Sequence, residues 1–148
     1  MLERLAVDTG ETAIFNEPDG PHLVVSQVAE SRQPLRMVPR IGARIPAGAS
    51  ATGRVLLPLL TAERRAELLG GQPDDRLRAL LEQARERGYA ASGEVDAPSM
   101  TIAAAVLGPT GHPIGAVAIS GPAERMTPHE HPRLAALVCR AAEELSAG

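Results

Sequence analysis

Between Ala47 and Gly53 the chain reads A-G-A-S-A-T-G, seven consecutive small residues that lead straight into the apolar Val55–Leu57. No side chain in that run is bulky enough to hold the backbone away from a neighbour, so the Gly42–Leu57 segment is expected to pass close to another element. Ser50 or Thr52 is placed to cap the helix that follows. The first amides of a helix have no partner within it and carry the positive end of its dipole. The segment is therefore expected to form an anion cradle among small side chains. A small carboxylate suits it better than a nucleotide, because the phosphate-loop spacing G-x-x-x-x-G-K-S/T is absent.

The rest of the chain supplies partners for that loop. Residues 2–8 read as the tail of a helix. Two extended segments follow, Thr12–Glu17 and His22–Val28, joined by a turn at Pro18-Asp19-Gly20. Leu35–Val38 reads as a short third strand before Pro39. Pro58 is expected to kink or end the helix after the small-residue loop. Thr61 caps a short helix that Gly70-Gly71 breaks. Asp74 or Asp75 caps the next, in which Leu77, Leu80, Leu81 and Ala84 share a face and which Gly88 ends. Thr101–Leu107 and Ile114–Ser120 form a hairpin around Gly108–Gly111. Leu134, Leu137, Val138, Ala141 and Leu145 mark one face of a last helix. Its start reads either as a capping box at Thr127-Pro128-x-Glu130 or as Pro132. The sum is an α+β domain, a mostly antiparallel sheet with helices on its faces.

At 148 residues the chain is long enough for one domain with a real core. The 15 basic residues, all arginine, are outweighed to a net charge of −3, and no basic stripe stands out. Together with only two aromatic residues, Phe15 and Tyr89, this excludes phosphate neutralisation and base stacking as the work of this chain alone. No apolar run approaches the roughly 18–20 residues of a membrane span, and the start has no secretory pattern. The single cysteine, Cys139, permits no internal disulfide and fits a cytoplasmic protein.

Enzyme chemistry finds no anchor. His129-Glu130-His131 sets its imidazoles two apart, pointing away from each other on a helix, so no metal is expected. Cys139 reads as a small hydrophobe on the last helix. Glu94 and Asp96 make a possible carboxylate pair that a polar loop explains equally well. No G-x-S-x-G elbow is present.

The Gly42–Leu57 segment resembles the G-x-x-x-P-x-x-A-x-A-x-G-K/R-x-x-L signature of the effector-binding domain of IclR-type transcriptional regulators. Thr9-Gly10-Glu11-Thr12 is similar to that family's T-G-E-T strand entry, and Pro34-Leu35-Arg36 to the motif before its small-residue loop. Arg85-x-x-Gly88-Tyr89 with Glu94 resembles R-x-x-G-Y/F…E. Ile102–Val106, then Ile119-Ser120-Gly121-Pro122 with Arg125, resembles I-A-A-P-V…S-G-P-x-x-R, and Ala142-x-x-Leu145-Ser146 the closing helix. The motifs keep the family's order over nearly the whole chain. Departures fall at Pro98-Ser99, where a glycine is typical, at Ser92, where a carboxylate is common, and at Ala105, which replaces a proline.

The resemblance implies a GAF-like or profilin-like sensor. It binds a small metabolite, often an organic acid, associates as a dimer or tetramer, and more commonly serves repression. It implies no cofactor, no metal, no membrane and no catalysis. Residues 1–8 are expected to be the end of a linker helix and 9–148 the effector-binding domain. DNA is expected to be bound only through an N-terminal winged helix-turn-helix that this chain does not include. The family's effector pocket falls here on Met37, Ile45, Ala51, Thr52, Gly53, Ser92, Thr101, Ala118 and Ser120. Ala51–Gly53 offer amides, the hydroxyls close the polar side, and Met37 and Ile45 supply apolar wall. Arg36 and Arg54 are candidates to neutralise an acidic ligand. Plainer roles stand beside these: Met37 and Ile45 as core, Thr52 as a cap, Ser120 as a strand end, Arg54 as surface. Two other functions are open on the residues alone, a small enzyme acting on an organic acid and an oligomerisation domain with a vestigial pocket.

Overall fold

A computed structural model describes residues 1–93 and 98–147. Glu94 and Asp96 lie outside the described residues. In chain order the elements are α1 (Leu2–Thr9), β1 (Thr12–Asp19), β2 (His22–Ala29), β3 (Arg44–Ile45), α2 (Ala51–Leu56), a 3-10 turn (Leu57–Leu59), α3 (Ala62–Leu69), α4 (Asp75–Arg87), β4 (Ala90–Gly93), β5 (Ser99–Leu107), β6 (Pro113–Pro122) and α5 (His131–Ala147). The strands form one six-stranded antiparallel sheet in the order β3-β2-β1-β6-β5-β4. The fold is the expected α+β, GAF-like arrangement.

The two faces of the sheet are built from side chains of different size, and this decides where the helices lie. Alternation along a strand sends successive residues to opposite faces. On one face Ile102, Ala104, Val106, Val117 and Ile119 meet Leu5 of α1 and Leu134, Val138 and Ala142 of α5 in a thick apolar core. On the other, Ala90, Ala103, Ala105, Ala116 and Ala118 present only methyl groups, and α2 lies on them through Ala51, Val55 and Leu56. A helix approaches a floor of methyls closely, which brings the start of α2 down to the sheet.

Helix ends follow local chemistry. The Ser50, Thr61 and Asp74 side chains accept from the amides of Gly53, Arg64 and Leu77, and Gly70 and Gly88 close α3 and α4 in the left-handed conformation. Pro58 sits in the 3-10 turn that ends α2.

Several expectations are corrected. Leu35–Val38 is not a strand: Leu35 is 60% exposed and the third strand forms at Arg44–Ile45, paired with Leu23 and Val24. Ala90–Gly93, to which the sequence assigned no element, is an edge strand paired with β5. The β1–β2 turn is Gly20-Pro21, with Asp19 opposite His22, so Pro18 belongs to β1. It lies beyond the Thr12–Asn16 stretch paired with β6, where β1 is an edge and a missing amide is tolerated. The last helix starts at His131, so Thr127 opens a turn rather than a capping box.

Candidate functional site

The register lines up hydroxyl-bearing residues across the α2 side of the sheet. Ser92 of β4 lies opposite Thr101 of β5, Thr101 opposite Ser120 of β6, and Ser120 opposite Thr12 of β1. The Thr101 and Ser120 hydroxyls share a hydrogen bond of 2.7 Å. Farther along β1, Asn16 lies opposite Ala116 and Val25. Its amide nitrogen donates to Thr52 Oγ1 of α2 at 2.7 Å, tying helix to sheet.

Between this face and the start of α2 is a cavity of about 140 Å³. Its polar lining is Asn16, Ser50, Thr52, Ser92, Thr101 and Ser120, and its apolar lining is Ile14, Val25, Pro39 and Ile45, with Ala51 at the helix start. No charged side chain lines it among the described residues. At about 30 Å³ per water it has room for four or five, the scale of a small organic acid and below an ordinary drug-sized site. Larger hollows lie outside the fold's interior. One of about 330 Å³ runs between α3 and α4 past Arg65, Arg78 and Arg85. Another of about 400 Å³ lies along α1 beside Glu30 and Arg32. Arg78 pairs with Asp75 and Arg85 with Glu82 on solvated surface, whereas the smaller cavity gathers uncharged polar groups, with Asn16 and Thr52 buried and Ser92, Thr101 and Ser120 half-buried.

Six of the residues singled out in the sequence line that cavity: Ile45, Ala51, Thr52, Ser92, Thr101 and Ser120. Ala118 lies in the methyl floor, fully buried and opposite Ile14. Gly53 does not offer its amide: Ser50 Oγ accepts from it at 3.0 Å. Its lack of a side chain has another cause, since a Cβ there would run into the backbone carbonyl of Ala47. The loop is folded directly over its own helix. Thr52 is not the cap; its hydroxyl faces Asn16.

Met37 is 37% exposed and absent from the lining, because the 35–38 segment runs outside the sheet. Arg36 is likewise outside, held by Glu30 at 2.6 Å and by the carbonyl of Gln33. Arg54 is turned away from the cavity lining: burial, then the nearby positive charge of Arg76, holds its pKa below the usual arginine value. Neither arginine is placed to neutralise a ligand here.

Asn16, Ile14, Val25 and Pro39 were not singled out by the sequence, and Ser50 only as a cap. An asparagine in a strand reads as solvent-facing, and only α2 crossing above it makes it part of a site.

Nothing catalytic assembles among the described residues, and no three His, Cys, Asp or Glu side chains gather as for a metal. His131 Nε2 lies 3.0 Å from the Met126 carbonyl, a structural contact at the start of α5. Burial, and then Glu143, pushes the Cys139 thiol up. Alkylation by iodoacetamide at pH 7 is therefore expected to run more slowly than for a free thiol, the thiolate being the reactive form; a mass-spectrometric time course checks it. No helix among the described residues is long and apolar enough to cross a membrane.

Comparison with known proteins identifies the family and the fold. The family model for the bacterial transcriptional regulator IclR C-terminal region matches residues 1–147. The acetate operon repressor of Salmonella typhimurium is 30% identical over 99% of this chain and 58% of its own length. A crystal structure of an IclR-family regulator from Rhodococcus sp. has a TM-score of 0.87 at 31% identity, covering 99% of this chain and 60% of that one. The inducer-binding domain of PobR from Acinetobacter, a double mutant in complex with 3-hydroxybenzoic acid, has a TM-score of 0.83 at 25% identity, covering 98% of this chain and 93% of that one. The chain spans about half the length of the curated relatives it matches.

Proposed function

The chain belongs to the IclR family of bacterial transcriptional regulators, whose C-terminal effector-binding region it matches, and from that premise we propose that it senses a small organic acid in the cavity under α2. The observation that carries this reading is the convergence of Thr52, which is buried, with the half-buried Thr101, Ser120 and Ser92 on one hollow that has no charged side chain in its lining among the described residues. Hydroxyls, together with the amides of Ala51 and Thr52 at the start of α2, are donors suited to a carboxylate. The complex of the PobR domain with an aromatic hydroxy acid supports the same ligand class.

In the intact regulator, residues 1–8 end a linker helix from an N-terminal winged helix-turn-helix, and 9–148 form the sensor. The sensor associates as a dimer or tetramer. Ligand bridging α2 to β4–β6 favours one placement of α2 on the sheet, and with it one pairing of sensors and one spacing of the DNA-binding heads. It shifts that equilibrium only by its difference in affinity for the two arrangements. Repression is the proposed outcome, because the curated relatives are named as repressors.

The test is a thermal-shift titration with small carboxylates. A binder at a hundredfold excess over its Kd is expected to add about 2.7 kcal/mol of stability. Thr52→Val, which removes the hydroxyl at nearly constant volume, is expected to weaken that binder roughly tenfold, read from the ligand-induced shift rather than from Tm itself. Absence of any shift across the acids, or an unchanged affinity in Thr52→Val, would refute the placement.

A further inference from the structure

Among the described residues α3 is the one α-helix that buries no side chain, while each of the others buries at least two. Packing does little to hold it, and such segments belong to the low-stability end of a fold. The hollow of about 330 Å³ lies between this helix and α4, at the lower end of the size range for small-molecule sites.

Three guanidiniums line that hollow against one carboxylate, Glu82, in a chain whose net charge is −3. Arg65 comes from α3. It donates to the Leu57 carbonyl at 3.2 Å, which steadies its guanidinium and commits only one of its N–H groups. Arg78 and Arg85 come from α4. Asp75, fully exposed, meets Arg78 at 3.2 Å, and Glu82 meets Arg85 at 4.0 Å. Exposed pairs of this kind hold each other weakly, so an incoming anion displaces them at little cost.

The spacing along α4 describes that anion. From Arg78 to Arg85 is two turns of helix, about 10 Å along one face. Leu81 lies between them on the same face, buried, and Pro58 and Pro73 add apolar wall. Glu82 falls in the same interval and repels negative charge at the middle of a ligand. A molecule that meets both arginines is therefore negative at each end and apolar in between.

We infer that the α3–α4 hollow binds a dianion with an apolar spacer, of the α,ω-dicarboxylate class, with one end on Arg78, the other on Arg85 and a further contact from Arg65. The ligand ties α3 to the domain in place of the packing it lacks. This site is separate from the cavity under α2, which has no charged side chain in its lining among the described residues, and it does not depend on the reading of that cavity.

The experiment titrates the whole chain by calorimetry with suberate, whose extended carboxylates span close to the Arg78–Arg85 distance. Octanoate, with the same chain and one carboxylate, and succinate, with both carboxylates on a short spacer, are the controls. Suberate is expected to bind roughly tenfold tighter than either, since each control forfeits a charged hydrogen-bonded contact. Arg78→Gln and Arg65→Gln are each expected to weaken suberate roughly tenfold for the same reason; Arg78 is exposed, so that variant keeps the test open should the loss of the Arg65–Leu57 bond unsettle the other. Hydrogen exchange of the α3 amides is expected to slow on binding. Suberate within twofold of both controls, or no binding of suberate at all, would overturn the inference. So would α3 amides that exchange as before. Suberate weakened by Thr52→Val and unaffected by the arginine variants would place it under α2 and overturn the inference as well.

Discussion

Gly53→Ala is expected to destabilise the domain by about 3 kcal/mol and to abolish its response to ligand. In an ordinary helix interior the same change stabilises by roughly 0.5–1 kcal/mol, because alanine loses less backbone freedom on folding. Here the added methyl meets the Ala47 carbonyl, part of the backbone rather than the end of a flexible side chain. Either the 47–50 loop opens or α2 lifts from the methyl floor, and overpacking of that kind costs about 1–3 kcal/mol before any hydrogen bond is lost. The Asn16–Thr52 bond between sheet and helix is the next to go. A fall in Tm near 10 °C checks this, at about 2–4 °C per kcal/mol for a chain of this size. Gly48→Ala is the control: its new methyl touches only the side-chain ends of Leu69 and Leu77, which have room to adjust. A Gly53→Ala chain as stable as the parent would show that the loop does not fold over its helix in this way.

Glu11→Ala is the second large effect, expected to cost about 2 kcal/mol and to free a segment far from it in sequence. Glu11 is buried, and Arg125 donates to both of its carboxylate oxygens, at 2.9 and 2.7 Å. The same guanidinium donates to the Leu35 carbonyl at 2.7 Å, so one ion pair ties β1, the chain after β6 and the 31–40 segment together. Breaking a buried pair costs about 3–5 kcal/mol; Arg125 keeps 30% of its side chain exposed, so the figure is set lower. Trypsin is expected to cut after Arg36 and Arg40 several-fold faster in the variant. The hydrogen bond to Glu11 raises the Arg125 pKa above an already high value. A raised pKa gives stability that is complete below the unfolded value and lost only as pH rises through the folded one. The cost of Glu11→Ala should therefore be the same at pH 7 and pH 9. A cost that shrinks between them would point to another titrating group.

The features legible in the sequence are those that local chemistry settles. Ser50, Thr61 and Asp74 cap helices and Gly70 and Gly88 end them because the donors and acceptors lie within three or four residues. The β5–β6 hairpin was visible in two apolar runs flanking the turn residues Gly108–Gly111. Where distant chain decides, the reading failed. Ala90–Gly93 has no strand signature and is a strand because β5 offers it an edge. Leu35–Val38 has one and is not a strand, because its neighbours are Arg125 and solvent. The pocket divided the same way. Thr101, Ser120 and Ser92 share a cross-strand row, and motif resemblance placed all three. Asn16 depends on a helix 36 residues away in sequence, which no pattern within β1 announces.

The floor of alanines under α2 has a consequence for how such sensors change what they answer to. Ala103, Ala105, Ala116 and Ala118 set the height at which α2 rests, and none of them lines the cavity. One methyl more or less among them resizes the chamber while every ligand-facing group stays the same. Selectivity can then drift between relatives through positions outside the lining, and two members with identical linings need not recognise the same ligand.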